Sequence, residues 1–155
     1  MSECERLADQ IRRAFEGEAW HGDSVTEILS DINASQASAR PIQSAHSIWE
    51  LVLHIAAWDD AVLRRTGGTA VTLSDAENFP AVPDNSEKAW EKAVREMKEG
   101  HERLVKAVTG FPDARLGERV PGKKQAYYTF YYMFAGIVQH ELYHAGQIAI
   151  LKKAA

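Results

Sequence analysis

Cysteine is nearly absent from this sequence of 155 residues, in which Cys4 is the only one. A single cysteine excludes an internal disulfide and any metal site built from several cysteines. Positive charge is not in excess either, because 18 Lys and Arg stand against 22 Asp and Glu and give a net charge of −4. Domains that bind nucleic acids are usually strongly basic, so we expect no nucleic-acid partner. Metal or acid–base chemistry would have to use histidines and carboxylates.

A long uninterrupted apolar run is also missing. The most apolar stretch, residues 126–150, is interrupted by Gln139, His140, Glu141 and His144, which a membrane span does not normally carry. Charged residues are spread through the N-terminal segment, which leaves no apolar run suited to a signal peptide. We therefore expect a cytoplasmic protein with no membrane partner.

Helical periodicity dominates the pattern of apolar residues. Capping boxes at Ser24 and Ser47 mark two helix starts, and Gly17 marks a helix end. The predicted long helices cover residues 3–16, 47–65, 86–109 and 125–153, and a short helix covers residues 24–33. Residues 34–44 and 67–85 lack periodicity and are rich in turn-forming residues, so we predict loops there.

These helices predict one all-α domain over residues 1–155, built as a four-helix bundle. Residues 70–73 are the best strand candidate, but they are isolated and too short to build a sheet. The long loop 67–85 lies between the second and third long helices and could cross the whole bundle. Those two helices would then run parallel, in an up-down-down-up order.

The strongest local feature is the segment His140-Glu141-Leu142-Tyr143-His144. Histidines at i and i+4 share one helix face and can reach one ion, and this face is otherwise mostly apolar or small. The same letters occur in zinc proteases, where a third ligand lies downstream. Residues 145–155 contain no His, Asp or Glu, so a third ligand is expected from another helix, which disfavours a metalloprotease.

His54 is the candidate for that third ligand, on the flank of the apolar face of the helix 47–65. A single inward histidine is more often a core residue bonded to a carbonyl group. Three inward histidines on two long helices favour a common functional site, because burying imidazoles close together costs free energy. Three histidines with an open position are a common catalytic metal arrangement.

Four segments share a wider pattern: Ala19-Trp20-His21-Gly22, Ala39-Arg40-Pro41-Ile42, HSIWELVLHIAAW at 46–58 and HELYHAGQI at 140–148. Together they resemble the DinB-like superfamily, over about residues 3–152. The resemblance implies an up-down-down-up four-helix bundle, usually a dimer, that holds a divalent metal with one histidine on the second long helix and two on the last. The matching positions are His54, His140 and His144. Relatives include bacillithiol S-transferases and mycothiol-dependent maleylpyruvate isomerases.

The leading hypothesis is therefore a metal-dependent enzyme that transfers a low-molecular-weight thiol to a small electrophile. Zn²⁺ or Ni²⁺ would suit three imidazoles, and a thiol or water bound to the metal would be the reactive group. Cys4, in the first turn of a helix, is interpreted as incidental. The alternatives are a metal-dependent hydrolase, a non-catalytic metal- or ligand-binding stress protein, and a helical interaction module.

Several residues are candidates for supporting roles. Glu50, one turn before His54, and Gln147 could orient a ligand or the substrate, although a solvated side chain is the favoured interpretation of Glu50. Trp20, His21 and His101 could line the pocket, although His101 also fits a hydrogen-bonded core residue.

The remaining predictions concern surfaces. His46 is expected to face solvent. Aromatic residues spread widely around the last predicted helix, which fits either a homodimer interface or a helix central to the bundle; they are Tyr127, Tyr128, Phe130, Tyr131, Tyr132 and Phe134.

Overall fold

The computed structural model describes residues 1–155 and contains helices, turns and one isolated bridge, but no sheet. The α-helices are α1 (Glu3–Glu16), α2 (Val25–Leu29), α3 (Ala34–Ser38), α4 (Ile48–Thr66), α5 (Asp75–Asn78), α6 (Glu87–Thr109) and α7 (Phe130–Ala154). A short 3₁₀ helix, Asp113–Arg115, follows α6. None of the helices has both the length and the apolar character needed to cross a membrane.

Three of the four predicted long helices, α1, α4 and α6, begin and end within a residue of their predicted bounds. The reason is local, because polar caps define their starts. The Ser47 hydroxyl accepts from the Glu50 amide, and the Glu50 carboxylate accepts in turn from the Ser47 amide. Gly17 and Gly67 occupy the C-caps of α1 and α4.

Two segments predicted to be loops contain short helices instead. α3 lies within 34–44, and α5 lies within 67–85. Each is opened by a capping box, Asn33 with Gln36 and Ser74 with Glu77. The prediction was wrong here because helices of four or five residues are too short to show a helical period. The helix predicted over 24–33 is also shorter than expected, since α2 ends at Leu29 and Asn33 is already the N-cap of α3.

The last helix begins five residues later than predicted, at Phe130 rather than Gln125. Thr129 is its N-cap and accepts from the Tyr132 amide. The preceding residues fold back on the chain, because the Val120 amide donates to the Tyr128 carbonyl oxygen at 3.0 Å. Tyr127 and Tyr128 therefore lie outside α7.

The directions of α1 and α7 follow from which residues share a core. Leu7 near the start of α1 lies in one apolar cluster with Phe134 near the start of α7. Phe15 near the end of α1 lies in the other cluster with Ile148 near the end of α7. The first and last long helices therefore run parallel.

The middle pair, α4 and α6, also run parallel to each other. Trp49 and Trp90, each near the start of its helix, meet edge to face with ring centroids 5.3 Å apart. Both lie in the cluster that contains Ile148 from the end of α7, so α4 and α6 run opposite to α1 and α7. This confirms the predicted up-down-down-up bundle, with the crossover loop between α4 and α6.

Polar side chains separate the two apolar clusters. Asp59 on α4, His101 on α6 and Glu141 on α7 are all fully buried, and each lies along its helix between residues of the two clusters. The bundle is thus built as two apolar cores with a buried polar layer between them.

Candidate metal centre

Three histidine side chains converge at the seam between α4 and α7. The Nε2 atom of His140 lies 3.0 Å from Nε2 of His54 and 3.1 Å from Nε2 of His144. The i, i+4 spacing places His140 and His144 on one face of α7, and the antiparallel packing of α4 brings His54 opposite them. The structure therefore brings together all three residues predicted as metal ligands.

Hydrogen bonds on the far side of two rings determine where their protons lie. Nδ1 of His54 is 2.6 Å from the backbone oxygen of Asn78, and Nδ1 of His144 is 2.6 Å from the Oε1 atom of Gln147. These oxygens are acceptors, so each Nδ1 carries the proton and donates it. The Nε2 lone pairs of His54 and His144 are consequently aimed at the shared point between the three rings.

His140 completes the donor set, and its own hydrogen bonding is incomplete. Its Nδ1 is buried without a partner, and its Nε2 faces two nitrogens that already present lone pairs. One N–H group on His140 can serve only one of those nitrogens. A cation between the rings would accept from all three nitrogens, so the donor set fits a divalent metal ion.

The electrostatics also favour neutral imidazoles. Burial, followed by the proximity of His144 and His54, lowers the pKa of His140 to about 3. Burial likewise lowers the pKa values of His54 and His144. Since a metal binds the neutral ring, the three ligands need not lose protons at neutral pH.

The crossover loop contributes directly to this site through Asn78 and Phe79. Besides holding His54, Asn78 accepts through its side-chain oxygen from the indole N–H of Trp58 at 2.8 Å. Phe79 stacks on the His54 ring at 4.1 Å and, on its other side, on His46 at 3.8 Å. The sequence offered no sign of these roles, because the loop meets α4 only in three dimensions.

A cavity of about 170 Å³ opens beside His140. Its lining is mostly apolar and aromatic, with one cation, and consists of Trp58, Val62, Arg65, Tyr128, Tyr132, Met133, Gly136, Ile137 and His140. A second cavity, of about 360 Å³, has Gln147 and His46 in its lining. Open space therefore borders His140 directly and, in a separate cavity, Gln147, the hydrogen-bond partner of His144.

Of the two residues predicted to orient a ligand or the substrate, only Gln147 contacts one of the three histidines, His144. Glu50 contacts none of the three histidines, because its carboxylate caps α4 and accepts from Arg40 at 2.6 Å. The prediction that Glu50 orients a ligand is not supported by these contacts.

The predicted pocket-lining residues lie elsewhere. Trp20 is fully exposed and lines a separate hollow with His21, Val138 and Leu142. His101 is fully buried in the bundle and lines neither of the two cavities beside the histidine site. His46 is exposed along one edge while stacked on Phe79, which agrees with its predicted position at the surface.

The buried polar layer is a second cluster of potential ligands, which sequence reasoning missed. Nδ1 of His101 lies 3.1 Å from Asp59 Oδ2 and 3.2 Å from Glu141 Oε1. A single N–H cannot serve both carboxylates, and it is Glu141 that has no hydrogen-bond partner. Burial raises the pKa values of Asp59 and Glu141. Burial also acts to lower the pKa of His101, but the two neighbouring acids outweigh it and raise that pKa to about 9. Groups of this kind, like the histidine site, can hold a divalent cation.

Cys4 takes no part in either cluster. It is buried in the core, and burial together with the neighbouring Asp113 raises the pKa of its thiol to about 12. The thiol therefore stays protonated at neutral pH and is a poor nucleophile.

Comparison with family models gives one match. A model described as the DinB superfamily matches residues 19–148, which are 130 of the 155 residues and include both helices that carry the three histidines. Comparisons with curated proteins and with solved structures found no match.

Proposed function

Because the chain belongs to the DinB superfamily, we propose that it is a metal-dependent enzyme that transfers a low-molecular-weight thiol to a small electrophile. The observation that carries the proposal is the convergence of the His54, His140 and His144 Nε2 atoms, with two rings held by outer hydrogen bonds. Such outer partners orient ligands in metal sites. A structural core histidine would not require this arrangement.

The proposed metal is Zn²⁺ or Ni²⁺, both of which accept imidazole ligands. When bound, such an ion supplies Lewis-acid chemistry that lowers the pKa of a coordinated thiol or water towards neutrality. The protein has no ionisable cysteine of its own at neutral pH, since burial raises the pKa of Cys4 to about 12. An external thiol is therefore the proposed nucleophile.

The surrounding residues would position the reactants. Asn78 and Gln147 hold the outer nitrogens of two ligands, so the ligand rings cannot turn away from the site. Trp58, Tyr132 and Ile137 give the adjacent cavity an apolar wall that would hold a small organic electrophile and exclude water. In the transfer, a carbon–sulfur bond forms, the leaving group departs with its electron pair, and the thiol proton passes to solvent.

Metal content is the first experiment. Purified protein should contain one divalent ion per chain, and His140→Ala should abolish it. Loaded protein is then mixed with 1-chloro-2,4-dinitrobenzene and, in turn, bacillithiol, mycothiol, coenzyme A or cysteine. Metal-dependent thiol consumption with release of chloride supports the proposal.

The competing functions predict different outcomes. Metal-dependent cleavage of an ester such as 4-nitrophenyl acetate without any thiol would indicate a hydrolase. Stoichiometric metal with no turnover of either kind would indicate a binding protein. Protein that takes up no metal, with histidine variants that alter stability alone, would indicate a helical interaction module.

Two further proposals concern the protein's surroundings. We propose a cytoplasmic location, where a free thiol cosubstrate stays reduced. We also propose a homodimer, supported by large exposed side chains along α7, among them Tyr132, Tyr143 and Ile150. Their sequence spacing places these three on one helix face.

A further inference from the structure

Arg65, at the end of α4, is a buried cation without a carboxylate partner. The residue is 1% exposed, and its side chain has no ion pair with Asp or Glu. Its Nε and Nη2 donate to the Val71 backbone oxygen at 3.2 and 2.8 Å, and Nη1 donates to the Tyr128 hydroxyl at 3.3 Å. These bonds engage three of the five N–H groups of a guanidinium, and all the acceptors are neutral. A buried charge is ordinarily matched by an opposite charge.

Lys123 is a second cation in the same place. Its ammonium lies 4.8 Å from the centre of the Tyr128 ring, whose hydroxyl accepts from Arg65. Burial lowers the pKa of Lys123, and the charge of Arg65 lowers it further. No carboxylate is paired with Lys123 in the structure. Two cations therefore contact the same tyrosine, Tyr128, and neither is paired with a carboxylate.

The cavity that Arg65 lines is the one that His140 lines. Trp58 connects them, because its ring lies 5.4 Å from the Arg65 guanidinium carbon and has its centroid 5.7 Å from that of His140. A molecule lying along this indole would have one end near the cations and the other near the histidines. The walls between are apolar, with Ile137 and Met133 among them.

We propose that this cavity binds a small organic carboxylate, with its charged end at Arg65, its apolar body along Trp58 and its reactive end at the three histidines. Lys123, which lies over the ring of the cavity residue Tyr128, adds positive charge near the charged end. The assignment of that molecule as a substrate rests on the proposed function, whereas its binding does not. A carboxylate matches the fork of a guanidinium and can use the N–H groups that the protein leaves free. The carboxylate belongs to either the thiol or the electrophile.

Binding of benzoate and of benzamide, its uncharged analogue, tests the proposal. Titration calorimetry is carried out on metal-free protein, so that a carboxylate cannot gain affinity from a metal ion. Wild-type protein should prefer benzoate by about tenfold or more, since hydrogen bonds to charged groups are the stronger ones. Equal affinities, or no binding of benzoate, would overturn the proposal.

Variants locate the binding. Arg65→Met should abolish the preference, and Lys123→Gln should reduce it about threefold, because Lys123 is the more exposed cation. The matched controls, Arg64→Met and Lys124→Gln, alter exposed neighbours and should keep the wild-type preference. If Arg65→Met does not fold by circular dichroism, the wild-type preference and Lys123→Gln decide the matter. A preference that survives the loss of both cations contradicts the proposal.

Metal-loaded protein then separates this proposal from the proposed function. If it turns over a thiol but metal-free protein shows no benzoate preference, the carboxylate proposal alone fails. If benzoate is preferred but no metal binds, the enzyme proposal alone fails. Faster turnover of 3-mercaptopropionate than of 2-mercaptoethanol assigns the carboxylate to the thiol. Faster turnover of 4-chloro-3-nitrobenzoate than of its amide assigns it to the electrophile.

Discussion

His54 and Asn78 are joined by a hydrogen bond of 2.6 Å from the imidazole Nδ1–H to the backbone oxygen. This bond attaches the crossover loop to a candidate metal ligand, and Phe79 extends the contact by stacking on the same ring. The loop therefore does more than connect α4 to α6. Ordering of the loop and orientation of the ligand depend on one another.

Loss of any one histidine of the site should remove the metal. In His54→Ala, His140→Ala and His144→Ala, two nitrogen ligands remain instead of three. The affinity for a divalent ion should therefore fall by about 100-fold or more. Plasma emission spectroscopy and competition with a chromogenic chelator measure the loss. His21→Ala is the control, because His21 is exposed and lies outside the site. Unchanged stoichiometry in all three variants would contradict the assignment of this centre.

The hydrogen bond from His144 to Gln147 should contribute to metal affinity without contributing a ligand. Gln147→Leu removes the acceptor that fixes the Nδ1 proton, so the ring can turn or change tautomer. We expect affinity to fall by about tenfold while the stoichiometry at saturating metal stays at one. Gln139→Leu, an exposed change on the same helix, should leave affinity unaltered. An equal effect in both variants would point to a general effect on α7.

The fold and the ligands could be predicted because their signals are local. Capping residues and helical spacing lie within a few residues of one another, and His140 and His144 are one turn apart. The roles of Asn78 and Arg65 could not be predicted in this way. Each depends on a contact between segments far apart in the chain, and neither residue type is diagnostic.

The start of α7 is a second feature that local sequence patterns could not predict. Tyr127 and Tyr128 continue the apolar pattern of the helix, so sequence spacing alone extends it to Gln125. A backbone contact with Val120 bends these residues away and makes Thr129 the cap. Non-local hydrogen bonds here override the local periodicity.

If two chains associate through α7, a charged residue introduced on that helix should halve the measured mass of the protein. Tyr143 is 67% exposed and lies on one face of the helix with Tyr132 and Ile150. Light scattering coupled to size exclusion should give twice the chain mass for the wild type and the chain mass for Tyr143→Glu, since a charge buried at an apolar interface is costly. Thr109→Glu, at an exposed position on α6, should remain dimeric. A monomeric wild type would contradict the prediction.

The buried layer of Asp59, His101 and Glu141 should make metal-free protein less stable as the pH rises above neutrality. Burial would lower the pKa of His101, but the two acids raise it to about 9, above its ordinary value. Burial raises the pKa of Glu141 to about 8, also above its ordinary value. The folded state thus holds protons that the unfolded state has released, and stability falls with pH by up to about 1.4 kcal/mol per unit for each such proton.

Glu141→Gln isolates one of these two protons. The amide cannot titrate, and His101 keeps its contact with Asp59 at 3.1 Å. The decline in the free energy of unfolding between about pH 7 and about pH 8.5 should therefore be smaller than that of the wild type. Urea denaturation at several pH values, with a chelator present throughout, measures both slopes. Glu102→Gln, exposed on α6, should keep the full wild-type slope. His101→Leu should instead lower stability by about 1–3 kcal/mol at pH 7, because the buried Asp59 carboxyl group loses its only hydrogen-bond partner. A wild-type stability that rises over this pH range would contradict the prediction for the layer, and a Glu141→Gln slope equal to that of the wild type would contradict the assignment of a proton to Glu141.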